Sequence, residues 1–419
     1  MKTGSIVTLK NGSLAVVYKH RSETLKLDGA ALTPELGVRT STYEELPEVK
    51  EITPEILKRI KKALPNWVFG VQGKDMGLTG TDPEIFAFDA KGVVIPAWEW
   101  LASKEESKEH YYDGVQAEFI TEPTGCHSYQ TDRVRNKLYD LDHILKKHNP
   151  KAFLATKDVV KLDKKLLMTA DDKYIELGCS PSQNAYPEVK PIDIGDPRTH
   201  PYRYSGCHLH MSVVDYPLPE WFPNGTVVMM DKIVGVFLTA LGRDMEDPIR
   251  RQAYGRAGEY RVPPDVKMNR TAWGDLYKNS VYKRLEYRTP GSFLLHHPAL
   301  FNFAVDLARV AFRMGLIMDG RLLDEIPDVQ GIINSCDADA AVKLITAKGS
   351  YYQSVLESNV LGTAYKKNSQ TISLLSKGAK ASGLFGTSVS ENWRLGVGWN
   401  TDNYMNGNTR WQHFGLPNG

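Results

Sequence analysis

The chain has 419 residues, of which 42% are hydrophobic and 24% are charged. This composition is ordinary for a folded protein, and the length predicts one large domain together with a smaller one. Lys and Arg (52) nearly balance Asp and Glu (50), so no overall charge favours a nucleic acid or a membrane surface as partner.

Targeting and cysteine signals are weak. The first residues, MKTGSIVTLKNG, contain no apolar segment of signal-peptide length. The longest apolar run, IVGVFLTALG at 233–242, is shorter than the roughly 20 residues that span a bilayer, and it predicts a buried helix. The four cysteines are far apart and form no CxxC pair, which argues against a disulfide framework or a cysteine zinc site. We therefore expect a cytoplasmic protein without membrane association.

Residues 1–50 are predicted to form a small all-β module. Two β-rich runs, SIVTLK and SLAVVYK, flank the dipeptide Asn11-Gly12, which strongly favours a hairpin turn. A third run at Thr24–Gly29 adds another strand, and a small barrel or hairpin module fits this pattern. A linker helix is predicted next, at residues 51–65.

The larger domain is predicted to span residues 66–360 with an α+β fold. Helical periodicity occurs at Asp132–His148, Asp231–Met245, Pro298–Met314 and twice between Ala338 and Val360. The strand-like runs are not evenly separated by helices, as parallel βαβ units would require. We therefore expect an antiparallel sheet with helices packed on one side. Residues 361–419, rich in Gly and Asn, are predicted to be an irregular C-terminal extension packed on this domain.

Five pairs of polar residues occur at the spacing i, i+2. In a strand such residues point to the same face, roughly 7 Å apart. The pairs are Asp82 and Glu84, Gln116 and Glu118, His208 and His210, Glu259 and Arg261, and Glu286 and Arg288. One such pair is usually a solvated face or a cross-strand ion pair. Five pairs in one chain, if they share a sheet face, predict a concavity lined by carboxylates, imidazoles and guanidiniums.

The chemistry of these pairs favours bound cations and a polyanion, because an unpaired buried charge costs several kcal/mol. Carboxylates with few nitrogens suit Mg²⁺ or Mn²⁺. Zinc is disfavoured because the chain has no HExxH motif. Arginines beside such carboxylates suit a transferring phosphoryl group. The chain has no P-loop, so a nucleotide is predicted to lie on the sheet.

Two further stretches bear on this prediction. RRQAYGRAGEYR, at Arg250–Arg261, places four arginines among turn-forming residues, which is typical of a phosphate site or of a basic surface loop. GCSPSQNAYP, at Gly178–Pro187, offers Asn184 and Tyr186 as substrate contacts. An ordinary loop is the better interpretation of this second stretch.

The order of these motifs resembles that of the glutamine synthetase-like carboxylate–amine ligases, which include glutamine synthetase and glutamate–cysteine ligase. The blocks GTDPEIF, DGVQAEF, GCSPSQNAY, SGCHLHMSV, YGRAGEYR and LEYRTPGSF look more closely like the phage-type enzymes, the phiEco32-like type 2 amidoligases. The match covers about Gly80 to Phe293. It implies a glutamine synthetase-like catalytic domain and ATP-dependent amide formation through an acyl phosphate.

The resemblance also implies roles for single residues. The implied metal ligands are Asp82, Glu84, Glu118, Glu286 and one histidine, for which His208 is the first candidate. His208 or His210 completes a metal site or touches the phosphates, and the sequence leaves this open. Arg288 neutralises the transferring phosphoryl group, and Arg256 and Arg261 bind phosphate or carboxylate. Glu259 binds the incoming amine or orients an arginine. The catalytic candidates are Glu118, Glu259 and Arg288. Larger relatives usually carry Glu-x-Glu, and the shorter side chain of Asp82 reaches less far.

The implied cofactors are ATP and Mg²⁺ or Mn²⁺, and the implied partners are small-molecule or peptide carboxylates and amines. The module at 1–50 makes a macromolecular substrate an option, and a homo-oligomer is a further expectation. If the chain is phage-encoded, the host cytoplasm is its expected location. Two alternatives remain: a hydrolase or oxygenase with Zn²⁺ or Fe²⁺ on His208 and His210, and a non-enzymatic virion or nucleic-acid-binding protein.

Overall fold

The computed structural model describes residues 78–121, 127–175, 182–190, 193–214, 222–264, 266–267, 281–317, 325–357, 369–380 and 388–395, together with five strands between residues 6 and 51. The helix predicted at 51–65 lies outside these residues, except that residue 51 belongs to a strand.

The N-terminal strands form a five-stranded antiparallel sheet in the order β4-β3-β2-β1-β5. They are β1 (Ile6–Thr8), β2 (Leu14–Lys19), β3 (Leu25–Leu32), β4 (Val38–Ser41) and β5 (Lys50–Glu51). Thr8 pairs with Leu14 and Ile6 with Val16, so the strands on either side of Asn11-Gly12 are antiparallel neighbours, as the hairpin signal indicates.

The main sheet has ten strands, and every pairing between them is antiparallel. Its central order is β12-β15-β17-β14-β6-β9-β8, while β7 and β10 pair with β6 and β16 pairs with β17. The strands are β6 (Leu78–Phe88), β7 (Val94–Ile95), β8 (Tyr111–Asp113), β9 (Gln116–Glu118), β10 (Phe153–Ala155), β12 (Gln183–Asn184), β14 (Cys207–Val214), β15 (Glu259–Arg261), β16 (Val266–Lys267) and β17 (Val281–Tyr287). A separate two-stranded sheet pairs β11 (Val159–Lys161) with β13 (Tyr202–Tyr204). The protein therefore combines helices with an antiparallel sheet, as predicted.

Helices pack against both faces of the main sheet. The described helices are α1 (His127–His148), α2 (Lys164–Thr169), α3 (Asp172–Ile175), α4 (Phe222–Met230), α5 (Val236–Leu241), α6 (Pro248–Ala253), α7 (Pro298–Ile317), α8 (Gln330–Asn334), α9 (Ala338–Ala347), α10 (Gly349–Glu357), α11 (Ser369–Ser373) and α12 (Val389–Leu395). Helices α1, α4, α5 and α7 pack on one face of the sheet, whereas α2 and α3 pack at one end of the other face. Sheet residues such as Ile85, Leu209 and Tyr287 join one apolar core with Leu138 of α1 and Phe301 of α7. Alternation along each strand leaves the intervening polar residues on the other face.

The apolar helix predicted at 231–245 is interrupted. Helix α4 runs into a π-helical turn at Asp231–Gly235, and α5 follows. Pro223–Leu241 is long and apolar enough to cross a membrane by length and composition, but 83% of its most apolar window is buried inside the structure, as the predicted buried helix requires.

The prediction of an irregular C-terminal extension needs correction, because helices α11 and α12 lie within it. Trp393 of α12 donates a hydrogen bond from Nε1 to the carbonyl oxygen of Leu295 at 2.6 Å. Asn392 donates to the carbonyl oxygen of His296 at 2.8 Å. Glycine and asparagine content alone therefore misses a helix whose buried tryptophan anchors it.

Candidate functional site

The register of the main sheet brings the predicted polar pairs together. Residues directly opposite one another on neighbouring antiparallel strands share a face. The pairings are Asp82 with His208, Glu84 with Glu118, His210 with Glu286, and Arg261 with Glu286. These side chains therefore share the sheet face opposite the apolar core to which Ile85, Leu209 and Tyr287 belong.

One end of this polar face is closed by a second apolar cluster. Phe86 and Phe88 continue the alternation of Asp82 and Glu84 along β6 and pack with residues of β11, α2 and α3. Water is therefore excluded from that end of the face, which strengthens electrostatic interactions among the neighbouring charged groups.

Asp82 lies at the centre of a cluster with both histidines. Its Oδ1 is 3.0 Å from His208 Nδ1 and 2.9 Å from His210 Nε2. Burial by itself raises the pKa of Asp82, but the imidazoles of His210 and His208 hold it well below its ordinary value. Asp82, His210 and Glu286 each place one potential ligand atom within 4.8 Å of the others. Two carboxylates and an imidazole at this separation suit a divalent cation.

Three more carboxyl groups lie beside this cluster with raised pKa values. Burial, followed by repulsion from Asp82 and Asp113, raises the pKa of Glu118 to about 8. Burial and the charges of Asp113 and Glu118 raise the pKa of Glu84 well above its ordinary value, and burial also raises that of Asp113. A cation bound among these groups removes their repulsion and favours their charged forms. The donor set therefore fits Mg²⁺ or Mn²⁺.

Glu84 and Glu118 are held by different donors. The backbone N–H of Gly206 donates to Glu84 Oε2 at 2.8 Å. Tyr111 donates its hydroxyl proton to Glu118 Oε1 at 2.6 Å, and Lys104 Nζ lies 3.8 Å from the same oxygen. Both carboxyl groups are thus fixed in position before any ligand binds.

Two arginines adjoin the cluster through Glu286. Arg261 donates to Glu286 from Nη2 at 2.7 Å and from Nε at 3.1 Å. Arg288 Nε lies 3.2 Å from Glu286 Oε1, and its Nη1 donates to Ser182 Oγ at 2.9 Å. The Arg288 side chain is fully buried. Positive charge is therefore fixed beside the carboxylates, as an anion-binding site requires.

The other arginines of Arg250–Arg261 have different partners. Arg250 is fully buried and donates to the carbonyl oxygens of Ser205, Thr289 and Pro290. Arg251 forms a buried ion pair with Glu246. A basic surface loop is therefore the wrong interpretation for both arginines, because both side chains are buried and bonded to other parts of the chain.

Glu259 and Arg256 form an ion pair of their own. Arg256 Nε donates to Glu259 Oε1 at 3.1 Å, and the N–H of Gly255 donates to Glu259 Oε2 at 2.9 Å. Arg256 also donates to the carbonyl oxygen of Lys190 at 2.9 Å. Of the two implied roles for Glu259, orienting an arginine is the one that these contacts favour.

Asn184 and Gln116, two further polar residues noted in the sequence, form hydrogen bonds with backbone groups. Asn184 donates to the carbonyl oxygen of Ala257 at 2.9 Å and accepts from the N–H of Tyr186 at 2.9 Å. Gln116 donates to the carbonyl oxygen of Tyr204 at 3.2 Å. These bonds tie loops to the sheet, as the ordinary-loop interpretation predicts for Asn184.

Sequence reasoning missed Tyr254. Its hydroxyl lies among His208, Glu84 and Arg288, although it follows a short helix and belongs to no strand pair. The sequence did offer one signal: Tyr254 is an aromatic residue within the arginine-rich stretch, and this neighbourhood predicts cation–π contacts.

Comparisons with known proteins give little further guidance. No family model matches the chain, and no curated protein matches it. Among solved structures, the chain is similar to the ligase PafA in its complex with the prokaryotic ubiquitin-like protein Pup, with 10% identity, a TM-score of 0.34, and coverage of 74% of this chain and 66% of that one. It is also similar to a bifunctional glutathione synthetase from Pasteurella multocida, with 12% identity, a TM-score of 0.35, and coverage of 82% and 53%.

The chain spans less than two thirds of the length of either neighbour. Neither likeness, at TM-scores this low, identifies a fold or a function for this chain.

Proposed function

We propose that the protein is an ATP-dependent carboxylate–amine ligase that uses Mg²⁺ or Mn²⁺. The observation that supports this most is a single sheet face on which buried carboxylates and imidazoles adjoin the guanidiniums of Arg261 and Arg288. The order of motifs also favours a glutamine synthetase-like domain at 66–360.

The cation would be held by Asp82, His210 and Glu286, with Glu84 and Glu118 beside them. When bound, it would draw negative charge from the phosphate oxygens of ATP. Arg288 would bind the transferring phosphoryl group, because its guanidinium is already buried and oriented by Glu286 and Ser182. A donor that is fixed before reaction costs little reorganisation.

The reaction has two steps. A substrate carboxylate oxygen attacks the γ-phosphorus of ATP, so that an acyl phosphate forms and ADP leaves. An amine then attacks the acyl carbon, inorganic phosphate leaves, and the amine proton passes to a base. Glu118 is the better candidate base, since Glu259 is engaged by Arg256 and the N–H of Gly255.

Calorimetry of ATP binding, with and without Mg²⁺, tests the proposal. We expect binding that requires the cation and is weakened at least tenfold by Arg288→Ala, because the phosphates lose a buried positive charge. Arg288→Lys, which keeps the charge and loses the planar fork, should fall between. Arg198→Ala, whose partner Asp172 is exposed, serves as a control and should bind as the wild type does.

Hydroxylamine should then trap the acyl phosphate as a hydroxamate, with release of ADP, when candidate carboxylates are supplied. The absence of ATP binding by folded protein at any Mg²⁺ or Mn²⁺ concentration contradicts the ligase proposal.

A metal-dependent hydrolase or oxygenase is the second candidate. Asp82, His210 and Glu286 form a three-ligand group without the help of any arginine or nucleotide. This function leaves the buried Arg288 without a role. One equivalent of Zn²⁺ or Fe²⁺ in the purified protein, with turnover that needs no nucleotide, would favour it over the ligase.

We also propose that the N-terminal sheet recruits a macromolecular substrate. Deletion of residues 1–50 should then reduce turnover of that substrate while leaving ATP binding unchanged. Full turnover by the shortened chain contradicts this role.

A further inference from the structure

The hydroxyl oxygen of Tyr254 contacts a side chain of β6, a side chain of β14 and the residue that follows β17. Helix α6 ends at Ala253, and Tyr254 follows in an extended conformation with φ −158° and ψ 143°. Its hydroxyl is hydrogen-bonded to His208 Nε2. It also lies 3.4 Å from Glu84 Oε1 and accepts from Arg288 Nη2 at 3.3 Å. The residue is only 9% exposed, so these contacts replace water.

The ring of Tyr254 has a separate role from its hydroxyl. The guanidinium carbons of Arg250 and Arg288 lie 4.8 and 5.0 Å from the ring centroid, within the range of cation–π attraction. A phenylalanine at this position keeps the ring and its contacts with both arginines. The function of the hydroxyl can therefore be tested alone.

The hydrogen bonds of His208 define its tautomer. Asp82 Oδ1 lies in hydrogen-bonding geometry with His208 Nδ1, and a carboxylate only accepts hydrogen bonds. His208 Nδ1, at 3.0 Å from Asp82 Oδ1, must therefore carry the proton. In a neutral imidazole the other nitrogen accepts, so Tyr254 donates its single proton to His208 Nε2, which is closer than Glu84 Oε1 at 3.4 Å.

The surroundings of His208 leave no room for another ligand at Nε2. Gly206 lies so close to His208 that even a Cβ atom added to this glycine would be 2.7 Å from Nε2. The Gly206 backbone on one side and the Tyr254 hydroxyl on another therefore occupy the space around this nitrogen. The His208 side chain is 2% exposed, whereas that of His210 is 15% exposed. His210 Nε2 lies with Asp82 and Glu286 in the three-ligand group. Unlike His208 Nδ1, it makes no hydrogen bond to any of the described residues, although Asp82 Oδ1 is 2.9 Å away.

We propose that Tyr254 is a positioning residue that, with Asp82, locks His208 in the Nδ1–H tautomer and leaves His210 as the imidazole available to a cation. The part concerning His210 rests on the proposed metal site. The part concerning the tautomer does not, because it follows from contacts within the chain. Outer hydrogen-bond partners of this kind typically change metal affinity by about 10–100-fold.

Nitrogen NMR of the metal-free, nucleotide-free protein, labelled with ¹⁵N-histidine, tests the tautomer directly. Ring-nitrogen chemical shifts distinguish a protonated nitrogen from a bare one, and the His208→Asn variant identifies the His208 signals by their loss. We expect the Nδ1–H tautomer in the wild type. In Tyr254→Phe, where Asp82 still accepts from Nδ1, we expect the signal of the bare Nε2 to shift, because this nitrogen loses its hydrogen-bond donor. Tyr260→Phe is the matched control, because its hydroxyl donates to Asn224 at 2.6 Å and does not touch His208.

Titration with Mn²⁺ alone tests the second part. We expect Tyr254→Phe to weaken binding about tenfold, His208→Asn to weaken it to a similar extent, and His210→Asn to weaken it far more. The Nε2–H tautomer in the wild type, or an unchanged His208 spectrum in Tyr254→Phe, overturns the proposal. Equal losses from His208→Asn and His210→Asn overturn the division between the histidines. Since the spectra need no ATP, failure of the ligase proposal leaves the tautomer result standing.

Discussion

Replacement of Glu286 by glutamine should abolish cation-dependent ATP binding, with a loss of at least a hundredfold. Glu286 is the one carboxylate that contacts both the imidazole cluster and the two arginines among the described residues. Its neutralisation removes a proposed cation ligand and leaves Arg288 buried beside an amide. Breaking a buried ion pair from one side typically costs about 3–5 kcal/mol of stability, so the variant should also unfold at lower denaturant concentration.

Glu246→Gln separates these two effects. Glu246 forms a buried ion pair with Arg251, with side chains 2% and 3% exposed, and this pair lies outside the proposed metal and phosphate site. The control should lose a comparable amount of stability and retain ATP binding, as measured by calorimetry at a temperature where both variants are folded. Equal loss of ATP binding in both variants would falsify a specific role for Glu286.

Replacement of Asp231 by asparagine should stabilise the protein at alkaline pH relative to the wild type. Asp231 is fully buried in the π-helical turn and accepts a hydrogen bond from Tyr287 at 2.6 Å. Burial raises its pKa from 3.8 to about 7, against the opposing effect of that hydrogen bond. An asparagine keeps the acceptor oxygen for Tyr287 and carries no charge to bury.

The direction of the pH effect follows from proton binding. Between pH 3.8 and about 7 the folded protein keeps a proton on Asp231 that the unfolded chain has lost, so this group's contribution to stability falls as pH rises. A shift of about 3 units corresponds to about 4 kcal/mol. The difference in unfolding free energy between Asp231→Asn and wild type should therefore move by about this amount, in favour of the variant, from pH 4 to pH 8.

Urea unfolding at several pH values, with a chelator present, measures this difference. Asp171→Asn, at an exposed position, should show no such trend. A difference between Asp231→Asn and wild type that stays constant with pH would show that the carboxyl group titrates as it does in the unfolded chain.

The sequence predicts which residues share a face, because alternation with period two is a local property. Asp82 with Glu84 and His208 with His210 follow from it directly. The pairing of Asp82 with His208 does not, since 126 residues separate them and no local pattern encodes the register of distant strands. The antiparallel sheet follows from the irregular spacing of strands and helices.

Tyr254 and the two structural arginines show where local patterns fail. Arg250 and Arg251 have the same composition signal as a phosphate-binding loop, yet their partners are backbone carbonyls and Glu246. The two roles, binding a phosphate and bonding to the chain's own backbone, differ only in where the folded chain places these side chains. The π-helical turn at 231–235 is similarly invisible to a periodicity of 3.6 residues.

The order of the strands along the chain has a consequence during protein synthesis. Asp82 and Glu84 are made early, whereas their neighbours on β14 and β17 follow after more than a hundred residues. Sheet pairings between such distant segments form slowly, because a long loop must close first. A nascent chain therefore acquires its complete cluster only after β17 has left the ribosome. A product that terminates before residue 281 lacks Glu286 and Arg288, so under the proposed function it should lack the cation-dependent ATP affinity expected of the 419-residue chain.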